Sequence, residues 1–305
     1  MAAVDVLIVS LGSTAGLRAA DEALAAALRR AGAEVRVAAA KRPRELRTFA
    51  LTDLGWARAA RVAAQAALTD GAPRAIVYST TTAALLWPRP GAIRFDALAA
   101  ASRPGRHGVW QRPLERRRLH ETPLLVPWDE RSLAGAPRDI AAITYAANPE
   151  KKGLDRVLAA WAQVRREGEE LLVAGADLPV DAPGVRVVGA LAPAEYRALL
   201  RRARVFVTAP RREDYGIAQL EALADGCRLV TTAAPGPYAA LATARALDPQ
   251  LVIDDPAGLG PALRAALDAD GADGYGERAA AALTRFSPAA VDAVVREELL
   301  VRLLG

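Results

Sequence analysis

Two glutamates eight positions apart, Glu213 and Glu221, are the side chains of this sequence most suited to chemistry. The apolar run at residues 205–208 predicts a buried strand before them, and apolar residues at helical spacing predict a helix over residues 217–224. Glu213 is therefore expected on the loop between the strand and the helix, and Glu221 about one turn inside the helix. This arrangement puts a carboxylate above the C-terminal edge of a sheet, where ligands bind in open α/β sheets.

The beginning of that helix offers groups that attract anions. Its first backbone N–H groups, at Gly216, Ile217 and Ala218, have no acceptor within the helix, and the helix dipole makes this end positive. A positive helix end beside carboxylates can hold a phosphate and the hydroxyls of a sugar at the same time. The segment from Glu213 to Glu221 therefore predicts a sugar-nucleotide site.

Lysine is rare in this arginine-rich chain, whose three lysines are Lys41, Lys151 and Lys152. The last two follow the predicted strand of residues 142–145 and open a helix. A flexible ammonium there suits a diphosphate, whereas positive charge at a helix start is unfavourable when no anion is bound. We therefore favour a phosphate-binding role for this pair over that of ordinary surface lysines.

Strands and helices alternate along the first half of the chain. Strands are predicted at residues 4–10, 35–38, 75–78, 92–95 and 124–126, and helices at 19–30 and 53–67, the second capped by Thr52 or Asp53. A flexible loop from Gly12 to Gly16 follows the first strand. The strand–helix–strand opening predicts a parallel sheet.

The segment of residues 127–138 lacks periodicity and is typical of a linker, after which the alternation restarts. Strands are predicted at residues 142–145, 171–174, 185–188, 205–208, 229–232 and 251–253, with helices at 153–166, 194–202, 217–224 and 237–245. Six strands separated by helices predict a second doubly wound domain.

The composition limits the class of protein. With 305 residues, 52% of them hydrophobic, the chain is long enough for two ordinary domains and is not a disordered protein. No apolar run reaches the ~20 residues that a membrane-spanning helix needs. A single cysteine, Cys227, and the absence of a signal peptide predict a cytoplasmic protein. Two histidines and one cysteine cannot form a zinc site of the usual kind, so no metal is expected.

The net charge of +5 comes from arginine, which is concentrated at residues 41–44, 112–118 and 201–204. Solvated helix faces explain most of this charge, and the alternative is attraction to anionic substrates or peripheral contact with an anionic membrane. Nucleic-acid binding is disfavoured because these runs lack interleaved aromatic residues.

Two motifs together resemble those of a known enzyme family. The Lys152-Gly153 step, and the spacing from Glu213 to Glu221 with Tyr215-Gly216 between them, resemble the retaining GT-B glycosyltransferases of the GT4-like group, also called glycosyl transferases group 1. The resemblance covers residues 142–270 well and the first domain in outline. It implies an α/β fold of two Rossmann-like, doubly wound domains that face each other across a cleft.

The resemblance also implies that the two domains bind different substrates. Residues 1–133 would form the acceptor-side domain and residues 134–286 the domain that binds the nucleotide-sugar donor. The C-terminal helix, residues 287–305, is expected to pack back on the first domain.

Roles in the donor domain follow from the same resemblance. Glu213 would contact the hydroxyls of the donor sugar near the reacting carbon, and Glu221 would hold both ribose hydroxyls of the nucleotide. Lys152 would neutralise the leaving diphosphate. Gly216 and Ile217 would offer backbone N–H groups to the sugar or phosphate, and Tyr215 belongs to the same donor-binding motif.

In the first domain, Gly12 and Gly16 correspond to a glycine-rich loop near the diphosphate and the acceptor. Many family members carry a histidine at the end of a strand in this domain, where this sequence has Asp96. Asp96 would orient the acceptor hydroxyl or act as a weak base, and an aspartate that caps a strand end is an equal alternative. Ser79 and Thr80 are candidates for acceptor contact, although a helix N-cap is the favoured interpretation.

One family feature is missing from this sequence. Family members usually carry an arginine five or six residues before the lysine as a second phosphate contact, and here Ala146 and Ala147 occupy that place. Arg211 or Arg212 is expected to take over this contact.

The resemblance predicts an enzyme that moves a sugar from a UDP- or GDP-sugar to an acceptor hydroxyl, with retention of configuration and without a metal or other cofactor. A saccharide, a lipid-linked intermediate and a small natural product all remain open as acceptors. A dinucleotide-dependent oxidoreductase is disfavoured because Gly-x-Gly-x-x-Gly is absent from the first loop. A sugar-nucleotide epimerase of the same fold and a non-catalytic nucleotide-sugar-binding relative remain as alternatives.

Overall fold

The computed structural model of the protein describes residues 4–44, 48–94, 109, 112–113, 137–177, 179–236, 238–269, 271 and 273–305. The chain divides into two compact units, one within residues 1–129 and 285–305 and the other within residues 130–284. Among the described residues, each unit has one sheet, and every pairing between strands is parallel. The predicted pair of parallel α/β domains is therefore confirmed.

The first unit has a four-stranded sheet with the order β2–β1–β3–β4. Its elements are β1 (Val6–Ser10), α1 (Ala15–Arg30), β2 (Val35–Ala39), α2 (Phe49–Thr69), β3 (Ala75–Tyr78), α3 (Thr81–Ala84) and β4 (Ala92–Ile93). The strands predicted at residues 4–10, 35–38 and 75–78 are confirmed. The strand predicted at residues 124–126 lies outside the described residues.

Both long helices of this unit begin four residues before the predicted start, at residue 15 instead of 19 and at residue 49 instead of 53. Threonine caps explain the difference, because the Thr14 hydroxyl accepts from the Leu17 N–H and the Thr48 hydroxyl accepts from the Leu51 N–H. The predicted cap at Thr52 or Asp53 is wrong. The Thr52 N–H already donates to the Thr48 carbonyl, so this residue lies inside the helix.

The second unit has a six-stranded sheet with the order β10–β9–β8–β5–β6–β7. Its strands are β5 (Ile140–Tyr145), β6 (Leu171–Ala174), β7 (Val185–Gly189), β8 (Ala203–Thr208), β9 (Arg228–Thr232) and β10 (Val252–Ile253). All six strands predicted for this half are confirmed, because near-continuous apolar runs are typical of strands buried on both faces of a parallel sheet.

The helices of the second unit are α4 (Pro149–Lys152), α5 (Leu154–Val164), α6 (Pro193–Arg202), α7 (Ile217–Ala224), α8 (Ala239–Leu247), α9 (Leu259–Asp268) and α10 (Tyr275–Ala282). Short 3₁₀ turns occur at Pro249–Leu251, Pro256–Gly258 and Thr284–Phe286. Helices α9 and α10 were not predicted. Leu259, Leu263 and Leu267 of α9 are buried in the core that covers the sheet.

The chain ends with α11 (Pro288–Val294), a π-helical turn (Val295–Leu299) and α12 (Leu300–Leu304). This segment belongs to the first unit, where its apolar face joins the core of β1, β3 and α1. Arg30 of α1 makes two hydrogen bonds of 2.7 Å to the Asp292 carboxylate. None of the described helices is both long and apolar enough to span a bilayer.

Candidate active site

Three loops of the second unit start at the C-terminal edge of its sheet. They follow β5, β8 and β9, which are adjacent parallel strands. The Arg211 N–H donates to the Lys151 carbonyl at 2.9 Å, and the Glu213 N–H donates to the Pro235 carbonyl at 3.1 Å. The loop after β8 is thus hydrogen-bonded to the loops on both sides.

Gly153 brings the first two loops into close contact. It has a left-handed backbone conformation with φ +64°, and a Cβ at this position would lie 1.9 Å from the Ala209 carbonyl oxygen. A side chain therefore cannot be accommodated, because real Cβ atoms do not approach so closely. The helix predicted over residues 153–166 is present as α5, which begins directly after Gly153, and the single turn α4 precedes Gly153.

Lys152 and Glu213, distant in the sequence, are in direct contact. Lys152 ends α4, and its Nζ lies 2.6 Å from the Glu213 Oε2. Glu213 is 4% exposed, and its other carboxylate oxygen accepts a hydrogen bond of 3.2 Å from the Asp214 N–H. This contact places an ammonium and a carboxylate together above the sheet edge.

A second side chain also holds the Glu213 carboxylate. Gln219, on the first turn of α7, donates from Nε2 to the Glu213 Oε2 at 3.0 Å and to the Tyr238 hydroxyl at 3.3 Å. The Tyr238 hydroxyl lies 2.7 Å from the Thr231 Oγ1, at the end of β9. All of these side chains are buried, so they form a rigid support for the Glu213 carboxylate.

A cluster of ion pairs borders this contact. The Asp214 carboxylate accepts hydrogen bonds from Lys151 at 2.6 Å and from the Arg212 guanidinium at 2.8 and 3.0 Å. Burial opposes ionisation of Asp214, but the hydrogen bonds from Lys151 and Arg212 outweigh it and lower its pKa below the ordinary value. The Asp214 carboxylate therefore binds both cations.

Arg211 faces a different partner. Its guanidinium makes two hydrogen bonds, of 2.7 and 2.8 Å, to the Asp155 carboxylate and a third to the Glu150 carbonyl. The hydrogen bond from Arg211 lowers the pKa of Asp155, with burial acting in the opposite direction. Arg211 and Arg212 are adjacent in sequence but bind separate carboxylates.

The start of α7 has the geometry that the sequence predicted. Gly216 precedes the helix with φ +89°, and a Cβ there would lie 2.7 Å from the Ala240 Cβ and 2.9 Å from the Tyr238 ring. Among the described residues, no acceptor is found for the N–H groups of Gly216 and Ile217. Ile217 is 39% exposed, and the neighbouring Tyr215 is half-buried.

Glu221 lies one turn further along α7, and its carboxyl group forms no hydrogen bond or ion pair with another residue of the described part of the chain. Burial raises its pKa to about 7; Arg197 acts in the opposite direction and Asp225 adds to the rise. Tyr145 and Tyr196, whose rings are 5.4 Å apart, are close enough for the charge of Glu221 to raise their pKa values in addition to burial. The carboxyl group of Glu221 is thus half-buried and available to a ligand.

The glycine loop predicted in the first unit follows β1. Gly12 has φ +58°, and its carbonyl accepts a hydrogen bond of 2.8 Å from the Arg18 Nη1. Gly16 is exposed on the first turn of α1, and no atom lies within 4 Å of the place where its Cβ would be. The loop therefore continues directly into the N-terminus of α1.

The other predicted residues of the first unit have structural partners or lie outside the described part. Ser79 accepts a hydrogen bond of 2.8 Å from the Leu11 N–H, which ties β3 to the glycine loop. The Thr80 hydroxyl accepts from the Ala83 N–H at 3.0 Å, so the interpretation of Thr80 as a helix N-cap is confirmed. Asp96 lies outside the described residues.

Residues 138–269 match the family model described as Glycosyl transferases group 1. This part of the chain is a group 1 glycosyltransferase domain. It contains the Lys152–Glu213 contact, Gly216 and Glu221, and the resemblance that these residues carry in the sequence is thereby confirmed at the level of the family. The protein is an enzyme of the glycosyltransferase class.

Solved structures with the same architecture cover almost the whole glycosyltransferase. WaaG, a glycosyltransferase involved in lipopolysaccharide biosynthesis, has 16% identity and a TM-score of 0.69, over 99% of this chain and 100% of that chain. Sucrose-phosphate synthase from Thermosynechococcus elongatus has 16% identity and a TM-score of 0.71, over 99% and 98%. HepE from Anabaena, in complex with UDP and glucose, has 13% identity and a TM-score of 0.66, over 97% and 99%. At these identities the likeness establishes the GT-B fold, and no curated protein matches the chain by sequence.

Three residues at the site of the glycosyltransferase were not singled out from the sequence: Asp214, Gln219 and Tyr238. Asp214 directly follows the predicted site residue Glu213, and its charge opposite to that of Lys151 was the available signal. Gln219 lies two residues before Glu221 within an apolar helix, where a buried amide requires a partner. Tyr238 carries no such signal, because its contact depends on the path of the third loop.

Proposed function

We propose that this glycosyltransferase moves a sugar from a uridine or guanosine diphosphate sugar to an acceptor hydroxyl, with retention of configuration and without a metal ion. The observation that carries the proposal is the contact between the Lys152 ammonium and the Glu213 carboxylate beside the N-terminus of α7. A diphosphate needs positive charge, and a sugar needs hydrogen-bond acceptors at its hydroxyls. This contact supplies both groups within a single short distance.

The donor would be held along α7. Its diphosphate would bind Lys152 and the N–H groups of Gly216 and Ile217, because the positive end of a helix favours anions. The sugar would then lie against Glu213, next to Tyr215. Glu221 would accept hydrogen bonds from the two ribose hydroxyls, a role supported by its carboxyl group having no hydrogen-bond partner among the described residues.

The chemistry follows from where charge develops. Cleavage of the bond between the sugar and the phosphate creates negative charge on the diphosphate and positive character on the anomeric carbon. Lys152 and the helix end would stabilise the first, and the Glu213 carboxylate would favour the second. A leaving phosphate oxygen can accept the proton of the acceptor hydroxyl on the same face of the sugar, which gives net retention.

The charge distribution favours Arg212 over Arg211 as the second contact to the phosphates. Arg211 is bound to the Asp155 carboxylate by two parallel hydrogen bonds, which raise its pKa, and the charge of Glu150 adds to the rise. Arg212 is bound together with Lys151 to the Asp214 carboxylate, next to Glu213 and therefore beside the proposed diphosphate contact at Lys152. A guanidinium there can bind a phosphate oxygen through charge-assisted hydrogen bonds.

The acceptor is proposed by class only. WaaG acts in lipopolysaccharide biosynthesis and HepE was obtained with UDP and glucose, which favours a UDP-sugar donor and a saccharide or lipid-linked acceptor over a small natural product. Gly12 as a donor-binding residue, Asp96 as a catalytic residue, and Gly16, Ser79 and Thr80 as acceptor contacts stay predictions. A cytoplasmic location and peripheral contact with an anionic membrane also stay predictions.

The proposal is tested by calorimetry with UDP, GDP, ADP and CMP on the intact protein. We expect UDP or GDP to bind, and the Lys152→Ala substitution to weaken that binding roughly tenfold or more through loss of a charge-assisted hydrogen bond. The matched control is Lys41→Ala, which removes an exposed lysine of the first unit. Failure of all four nucleotides to bind, or equal loss in both variants, would contradict the proposal.

A further inference from the structure

Gln219 is a buried polar residue that the proposed chemistry leaves without a role. It is 1% exposed, and its Nε2 donates to the Glu213 Oε2 at 3.0 Å and to the Tyr238 hydroxyl at 3.3 Å. Its Oε1 is buried and has no hydrogen-bond partner among the described residues. Turning the amide over would place Oε1 against the carboxylate oxygen, so the contact with Glu213 fixes its orientation.

A chain of hydrogen bonds leads from Gln219 through Tyr238 and Thr231, and each residue in it donates to the next. The Thr231 hydroxyl donates to the Thr232 carbonyl at 3.3 Å, which leaves the Thr231 Oγ1 to accept from the Tyr238 hydroxyl. The Tyr238 oxygen in turn accepts from Gln219. Because the Tyr238 oxygen accepts one N–H of the Gln219 amide, the other N–H is left to donate to Glu213.

Tyr238 is held firmly in this position. It is 2% exposed, with φ +35°, a conformation that is rare for a residue with a side chain. Its N–H donates to the Asp214 carbonyl at 3.0 Å, and its ring lies against Gly216. The same residue therefore supports Gln219 and the beginning of α7, and such strain persists where surrounding contacts hold it.

The Glu213 carboxylate receives three donors: the Lys152 ammonium, the Gln219 amide and the Asp214 N–H. A bound diphosphate would compete for Lys152, and Glu213 would then depend on Gln219 for its remaining side-chain donor. We propose that Gln219, supported by Tyr238, is a positioning residue that keeps the Glu213 carboxylate turned towards the donor sugar after Lys152 has been taken over by the diphosphate. This inference rests on the proposed function.

The test compares Gln219→Met, which removes the amide at similar size, with Gln163→Met on the exposed face of α5 as the control. The activity is release of UDP or GDP from UDP-glucose or GDP-mannose, and calorimetry gives the affinity for the free nucleotide. We expect Gln219→Met to lower kcat roughly tenfold to a hundredfold, the range for losing a hydrogen bond to a charged group. Affinity for UDP or GDP should stay within about twofold, because these nucleotides lack the sugar that Glu213 contacts.

A second variant separates positioning from folding. Tyr238→Phe keeps the ring against Gly216 and removes the hydroxyl, so we expect a smaller loss of kcat in the same direction with nucleotide affinity unchanged. A kcat for Gln219→Met within about twofold of the wild type would overturn the inference. Parallel losses of kcat and nucleotide affinity would also overturn it, because they indicate a merely structural role.

Glu213→Gln distinguishes failure of the inference from failure of the proposed function. Loss of activity in Glu213→Gln with normal activity in Gln219→Met refutes the role of Gln219 alone. Full activity in Glu213→Gln, or no binding of either nucleotide to the wild type, refutes the proposed function and the inference together.

Discussion

At the scale of single residues, Glu221 is a carboxyl group whose pKa differs clearly from that of an ordinary surface carboxylate. Burial raises its pKa to about 7, the nearby Arg197 opposes that rise and Asp225 adds to it. An ionised carboxylate can accept hydrogen bonds from both ribose hydroxyls, whereas a protonated one loses acceptor capacity. Nucleotide binding should therefore be coupled to loss of a proton from Glu221.

We expect the affinity for a nucleotide sugar such as UDP-glucose to increase as the pH rises from about 5.5 to about 7 and to level off above that. The sign follows because the free protein holds the proton below its pKa and the bound state releases it. The measurement is calorimetry across this range, with a nucleotide sugar because its diphosphate has no ionisation near neutral pH. Glu221→Gln should bind more weakly with no such dependence, and an unchanged pH dependence in this variant would contradict the assignment.

At the scale of elements, the single turn α4 and the loop after β8 are joined at Gly153. Alanine at this position would combine an unfavourable φ of +64° with a Cβ 1.9 Å from the Ala209 carbonyl oxygen. We expect Gly153→Ala to lower the free energy of unfolding by at least about 2 kcal/mol and to weaken nucleotide binding, since Lys152 is the preceding residue. Thermal unfolding and calorimetry provide the measurements.

The matched control for that substitution is Gly168→Ala. Gly168 has φ +80°, and no atom lies within 4 Å of its Cβ position, so the backbone strain is retained without the collision. A loss of roughly 1 kcal/mol with normal nucleotide affinity is expected. Equal effects of the two substitutions would show that the close approach of the loops does not position Lys152.

Ion pairs of the same loop distinguish its two arginines. Arg212→Gln is expected to weaken UDP or GDP binding roughly tenfold, because it removes a cation whose carboxylate partner is shared with Lys151. Arg211→Gln removes an exposed ion pair with Asp155, which contributes little to stability, and leaves the phosphate contact in place. Calorimetry with both variants measures the two losses of affinity. A larger loss in Arg211→Gln than in Arg212→Gln would refute the choice of Arg212.

At the scale of the whole molecule, the strands were predictable because parallel sheets bury both faces. The runs at residues 75–78 and 171–174 coincide with β3 and β6 residue for residue. Helix starts were less predictable, because Thr48 and Thr52 offer the same hydroxyl and the sequence gives no reason to prefer either. Helix α9 was missed although Leu259, Leu263 and Leu267 recur at helical spacing, and α10 was missed because alanine makes up half of its eight residues and marks no apolar face.

The candidate site was likewise predictable in part from the sequence. Lys152, Gly216 and the two glutamates lie in motifs with a fixed spacing, so they were found without knowing how the strands are ordered. The side chains that support Glu213, namely Gln219 and Tyr238, come from helix α7 and from the loop after β9, and they meet through tertiary packing. A linear sequence does not encode that encounter at any fixed spacing, and it also gave no reason to choose between Arg211 and Arg212.

The C-terminal segment is expected to stabilise the first unit. Leu299 is 4% exposed within a core shared with Leu24, Leu28 and Val77, so Leu299→Ala should cost about 2–4 kcal/mol through the cavity that it leaves. Val301→Ala, on an exposed side chain of α12, is the control and should change stability by less than about 0.5 kcal/mol. Hydrogen exchange of β1 and β3 would report the difference, and equal protection in both variants would contradict the packing.

The most direct measurement of the central claim is an experimental structure of the protein with a nucleotide sugar that it binds. The account predicts a diphosphate oxygen within hydrogen-bond distance of the Lys152 Nζ, ribose hydroxyls on Glu221, and a sugar hydroxyl on Glu213, which stays bound to Gln219. A nucleotide bound elsewhere while the Lys152–Glu213 ion pair remains intact would contradict it.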